Sequence, residues 1–123
     1  MKKRIVIVDD YENTLMLTAF TLKTLGYELC TAKNGKDALQ YFNGQPVNLL
    51  ITDYNMPIMN GCDLVRAVRN IPEYIDMPII MFSTAKNKDI IETIETYKVN
   101  DWITKPIKSI ELITVVKKHL NEP

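Results

Sequence analysis

The chain has 123 residues, enough for one buried core and too few for two ordinary domains. Lysine plus arginine and aspartate plus glutamate each total 15, so the formal net charge is zero and no global field draws the protein to nucleic acid or to an acidic membrane. No stretch approaches the roughly 20 apolar residues of a membrane span, and the run behind the basic start Lys2-Lys3-Arg4 is too short for a signal peptide. Cys30 and Cys62 lie far apart without zinc or redox spacing, so reduced thiols in a cytoplasmic protein are expected.

Taken in chain order, short apolar runs rich in β-branched residues alternate with helical patterns. The first run is Ile5 to Val8, followed by a helical face of Leu15, Ala19 and Leu22 that stops at Gly26. A weaker run over Glu28 to Ala32 precedes Ala38, Leu39 and Phe42, which end at Gly44. Leu49 to Ile51 precedes Leu64, Val68 and Ile71, which end at Pro72. Ile79 to Phe82 leads to a stripe of Ile90, Ile94 and Tyr97. Trp102-Ile103 leads to Leu112, Val116 and Leu120, with Ser109 as the expected N-cap and His119 among the cations of the last turn.

About five βα units result, in one domain spanning 1–123 with no linker or low-complexity break. Continuous apolar strands are buried on both faces, which calls for a parallel sheet with helices on each side. The weak second strand belongs at an edge. Right-handed crossovers then favour a doubly wound, flavodoxin-like α/β fold of strand order 2-1-3-4-5, whose sites lie beyond the carboxyl ends of its strands.

Those ends carry the chemistry. Asp9 and Asp10 follow the first strand, Asp53 the third, Ser83 and Thr84 the fourth, Thr104 and Lys105 the fifth. Two carboxylates about 5 Å apart repel by roughly 3 kcal/mol at an effective dielectric near 20, so the cluster needs positive charge. Lys105 supplies one charge. A hard divalent ion, Mg²⁺ or Mn²⁺, suits an all-oxygen set without neighbouring histidine or cysteine. Met56, Met59, Met77 and Met81 read as packing, not as ligands.

Asp9-Asp10, the run Asp53-Tyr54-Asn55-Met56-Pro57-Ile58-Met59-Asn60-Gly61, Ser83-Thr84-Ala85 and Lys105-Pro106 together resemble the response-regulator receiver domain of two-component signalling, over essentially the whole chain. The resemblance implies Asp53 as nucleophile and phosphoryl acceptor. It also implies a metal held by Asp9, Asp10, Asp53 and the Asn55 carbonyl, and Lys105, Thr84, Ala85 and Tyr54 around the phosphoryl group. It further implies a cis Lys105-Pro106 bond, a switch pair Thr84 and Trp102, and Asn55 and Lys86 beside the path of the hydrolysing water. Trp102 stands where Tyr or Phe is usual, and Val99-Asn100 where Gly-Ala is usual. Pro57 and Gly61 are expected to shape the loop after Asp53, Gly61 by tolerating positive φ.

The implied partners are a sensor histidine kinase or phosphotransfer protein, and a downstream target on the face of the last two helices. A monomer is expected, with a dimer on activation as the alternative. A standalone switch is the favoured output, over a phosphorelay intermediate or one receiver of a longer regulator. A dehalogenase-type phosphatase would want an acid where Asn55 stands. A flavodoxin would want a phosphate-cradling loop where Asp9-Asp10 repel anions, and a degenerate receiver would lack the intact acidic set.

Overall fold

The computed structural model describes residues 2–123. The five apolar runs become strands β1 (Arg4–Val8), β2 (Glu28–Ala32), β3 (Leu49–Asp53), β4 (Ile79–Ser83) and β5 (Asp101–Thr104). They form one sheet in the order β2-β1-β3-β4-β5, each neighbouring pair parallel, as the sequence predicts. Between them run helices α1 (Glu12–Lys23), α2 (Gly35–Ala38), α3 (Gly61–Arg69), α4 (Lys88–Tyr97) and α5 (Ser109–His119).

Alternate side chains of a strand leave on opposite faces, and two cores follow. Val6, Val8, Leu50, Ile79 and Met81 pack with Ala38, Leu64, Val68 and Ile90, so α2, α3 and α4 cover one face. Ile5, Ile7, Leu49, Ile51, Ile80 and Phe82 pack with Leu15, Leu22, Leu112 and Val116, so α1 and α5 cover the other. Because β1 and β3 are apolar on both sides, a one-residue slip merely exchanges two greasy faces. It is opposed instead at the strand ends, where it would draw Asp9 or Asp53 deeper into the sheet.

The second helix is shorter than its pattern predicts. Asn34 caps α2 by accepting from the Asp37 amide at 2.8 Å, but after one turn the chain tightens into a 3₁₀ turn over Leu39–Tyr41. Phe42 then turns edge-on to Tyr74 with ring centroids 5.1 Å apart. Phe42 is buried there as part of the core on that face, although it lies outside the helix.

Ser109 is not the N-cap of α5. Lys108 holds that position in extended backbone, and its carbonyl accepts from the Leu112 amide at 3.0 Å, which closes the first turn one residue early and makes Ser109 the first helical residue.

Helix α4 is clamped to α3 at both ends. Arg66 bonds Asp89 and Thr93 near its start. Arg69, a buried guanidinium, donates to the carbonyls of Tyr97 (2.8 Å), Lys98 (2.9 Å) and Tyr74 (2.6 Å), ending the helix where Lys98 turns left-handed at φ 59°. Both cysteines are free, and burial pushes the Cys62 thiol up to about 11, so that sulfur is an inert core group at neutral pH.

Candidate functional site

The carboxyl ends of β1, β3, β4 and β5 share one rim and bring the scattered polar residues together. Asp9 and Asp53 are only 3% and 5% exposed, while Asp10 stands in solvent. One carboxylate oxygen from each of the three lies within 4.8 Å of the others. Lys105 reaches in from the end of β5, its Nζ 3.1 Å from Asp53 Oδ2 and 3.3 Å from Asp9 Oδ2. The Lys105-Pro106 bond is cis. Asp53 is itself the last residue of β3, paired with Phe82, so its position is fixed by the sheet and not by a loop.

Backbone amides hold the carboxylates still. Tyr54 N–H donates to Asp53 Oδ1 at 2.9 Å, and Tyr11 N–H to Asp9 Oδ1 at 2.9 Å. Burial is the largest influence on Asp53 and lifts it above the usual carboxylate range. Asp9 adds to the rise, while Lys105 and the Tyr54 amide oppose it. Burial pulls Lys105 down, but the hydrogen bonds and charges of Asp53 and Asp9 together outweigh it and hold the ammonium above its ordinary value.

Three carboxylates against one ammonium leave this site net negative. An all-oxygen donor set at that spacing fits a hard divalent cation, and the neighbouring Asn55 carbonyl could join it. The open cleft beside the acids, about 510 Å³, is lined by Asp10, Asn55, Thr84, Ala85 and Asn87 among others. Thr84 and Ala85 are exposed on its lip, and Lys86, next in the chain, is exposed as well.

Gly61 serves the site for a reason other than the expected one. Its φ is not positive. A Cβ there would meet the Asp53 carbonyl oxygen at 2.2 Å and Tyr54 Cα at 3.0 Å. The loop folds back so closely that Gly61 N–H donates to Tyr54 O at 2.8 Å, and the left-handed residue of the loop is Ile58, at φ 71°.

Six contacts escaped the sequence. Trp102, half-buried on β5, donates its indole N–H to Ser83 Oγ at 2.7 Å, and Ser83 Oγ–H donates to Ala85 O at 2.7 Å. The Lys86 ammonium lies 5.1 Å from the Trp102 ring centroid. The register that pairs Met81 with Trp102 places Ser83 diagonally on the same face, so the first contact was in principle readable from strand pairing. Asp89 joins Tyr54 to Arg66, with Tyr54 OH 3.3 Å from its Oδ2, and His119 Nε2 sits 2.7 Å from Asp101 Oδ2. Neither leaves a periodic trace.

Comparison with known proteins agrees in fold and extent. The family model for the response regulator receiver domain matches residues 5–117. Chemotaxis protein CheY1 of Helicobacter pylori is 37% identical over 105 residues, covering 84% of this chain and 85% of that one. The CAI-1 autoinducer sensor kinase/phosphatase CqsS of Vibrio cholerae is 32% identical over 106 residues, which is 85% of this chain and 16% of that protein's length. The solved structure of Vibrio cholerae chemotaxis protein CheY4 superposes with a TM-score of 0.90 at 28% identity, covering 98% of this chain and all (100%) of that one.

Proposed function

The chain belongs to the response regulator receiver domain family, and on that premise we propose that it is a cytoplasmic switch which takes a phosphoryl group onto Asp53 and thereby changes the protein it binds. Receiver domains are signalling switches of two-component systems, meeting histidine kinases on one side and downstream targets on the other, and are not turnover enzymes. The observation that carries the reading is the buried Asp53 carboxylate, pinned at a strand end between Asp9 and Lys105.

Asp53 needs no general base, because a carboxylate is already ionised at neutral pH. One oxygen attacks phosphorus, the bond from phosphorus to the donor's imidazole nitrogen or acyl oxygen breaks, and an acyl phosphate remains on Asp53. Lys105 holds a phosphoryl oxygen, while the Thr84 hydroxyl and the Ala85 amide donate to the others; the Tyr54 amide, expected there as well, is engaged by Asp53 Oδ1 and the Phe82 carbonyl. Receiver domains generally bind Mg²⁺ at an acidic pocket. In this chain Asp9, Asp10, Asp53 and the Asn55 carbonyl would hold Mg²⁺, or Mn²⁺ in its place, and the ion when bound supplies the positive charge that lets two anions meet.

A second groove, about 400 Å³, runs between α1 and the turn into α5 and is lined by Leu17, Pro106, Ile107 and Leu112 as well as by Thr84 and Lys105. Since those last two residues also border the phosphoryl cleft, a phosphohistidine kinase or phosphotransfer protein seated there would present its phosphate to Asp53. Among the described residues no helix is long and apolar enough to cross a membrane.

Output is read on the face of α4, β5 and α5. Trp102 is tied to residues on either side of the switch residue Thr84, to Ser83 just before it by a hydrogen bond and to Lys86 two residues after it by its ring. Drawing Thr84 to the phosphate pulls on both ties and lets Trp102 turn inward. As the single tryptophan, it is expected to change emission intensity when beryllofluoride and Mg²⁺ are added to the wild type, and to stay silent in Asp53→Asn. An unchanged wild-type spectrum contradicts the coupling. Lys86→Ala is expected to change the dephosphorylation rate at least about twofold while leaving Mg²⁺ affinity within error, since the ammonium lies over the Trp102 ring and pairs with none of the three acids. Equal rates count against that role.

A further inference from the structure

Helix α1 carries more apolar surface than its one buried face can use. Leu15, Thr18 and Leu22 point into the core, yet Met16 and Phe20 stand 63% and 67% exposed. With Glu12 and Lys23 they form one stripe along the side of α1 that faces β2, away from the Leu17 groove, at the helical spacing of i, i+4, i+8 and i+11. The stripe borders a groove of about 790 Å³ whose floor is Leu15, Ala19 and Leu29. An amphipathic helix with large side chains standing over an open apolar groove is a surface awaiting a partner.

The order of residues names the partner. Met16 and Phe20 lie on either side of Thr18, and Glu12 and Lys23 close the two ends at almost equal distances from it. A sequence of acid, Met, Phe and base is complementary to itself when reversed. We propose that this face binds a second copy of the chain, α1 against α1 in antiparallel array about a twofold axis that crosses the stripe between Met16 and Phe20. Met16 of each copy then meets Phe20 of the other over the α1–β2 groove, and Glu12 of each meets Lys23 of the other. The β2 side adds further charge at both ends. Lys33, which holds Glu12 at 3.3 Å, lies at one end, and Glu28, held by Arg4 at 3.2 Å, lies with Lys2 at the other, so the self-match rests on Glu12 and Lys23.

One helix and one groove give an interface at the small end of the specific range, and the dimer is accordingly weak, with Kd on the order of 10–100 µM. It does not rest on phosphorylation, and its test is run in EDTA without phosphodonor so that the two readings stand or fall separately.

Sedimentation of the full chain up to about 500 µM is expected to show a reversible monomer–dimer equilibrium. Phe20→Lys, at a position already exposed in the monomer, is expected to weaken it at least about tenfold without unfolding the chain. Glu12→Lys alone and Lys23→Glu alone place like charges at both ends and are each expected to weaken it about tenfold, while an equimolar mixture of the two associates about as tightly as wild type, because the mixed dimer again sets opposite charges against each other at both ends. A wild type that stays monomeric throughout this range, which would leave the stripe to a different protein, overturns the proposal. So does a mixture that associates no better than either variant alone, or a Phe20→Lys protein that dimerises like wild type.

Discussion

Adding one methyl group at position 61 is expected to destabilise the fold by about 3 kcal/mol, the largest effect among the glycine-to-alanine changes, and to lower the melting temperature on the order of 10 °C. The methyl carbon of Gly61→Ala would lie 2.2 Å from the Asp53 carbonyl oxygen and 3.1 Å from its carbon. Both are backbone atoms of a strand buried on either side, so no side-chain rotation can make room. Either β3 shifts or the loop from Tyr54 to Asn60 opens, and each outcome moves the acceptor carboxylate. Gly26→Ala is the control. Gly26 has φ +90°, but a methyl added there would meet nothing within 4 Å, so the change carries only backbone strain of about 1 kcal/mol. Urea unfolding of the two variants separates crowding from conformation, and equal losses would show that Gly61 is retained for flexibility alone.

Lys105→Met is expected to destabilise the protein by about 3 kcal/mol at neutral pH in EDTA and to slow phosphoryl uptake by roughly two to three orders of magnitude. The ammonium touches both buried carboxylates, and without it Asp9 and Asp53 face each other uncompensated. The pH dependence has a definite sign. Asp53 in the folded state is held above its ordinary value by burial and by Asp9, so the folded protein takes up that proton more readily than the unfolded chain does. Ionised Asp53 therefore detracts from stability at neutral pH, and the penalty fades as the pH falls through its raised value. The deficit of Lys105→Met should be full at pH 7 and shrink toward the acid range, whereas Asp53→Asn, which removes one of the opposed charges, should raise stability at pH 7. A Lys105→Met protein as stable as wild type at pH 7 in EDTA contradicts this electrostatic account.

What the sequence made legible follows from how each feature is encoded. β3 and β4 are apolar on both faces, so their residues read as continuous runs. The sheet order follows from a weak edge strand and the handedness of crossovers. Asp9, Asp53 and Lys105 could be brought together before any coordinates because strand ends in a parallel sheet share a rim. Ser109 misled because a serine before a helical stripe looks like a cap, while the actual boundary was set by the Lys108 carbonyl. Gly61 misled because a sequence shows that a side chain is missing, not which atom occupies its space. The bonds from Arg66 to Asp89 and from Trp102 to Ser83 join long side chains across 23 and 19 residues. Such contacts depend on rotamers that no hydrophobic period records.

The central claim is that the Asp53 side chain becomes an acyl phosphate, and intact-mass spectrometry after brief treatment with acetyl phosphate and MgCl₂ tests it most directly. The expected result is a labile adduct of about 80 Da on the wild-type chain that disappears with EDTA and in Asp53→Asn. No adduct on wild type, or one that persists in Asp53→Asn, would contradict the account.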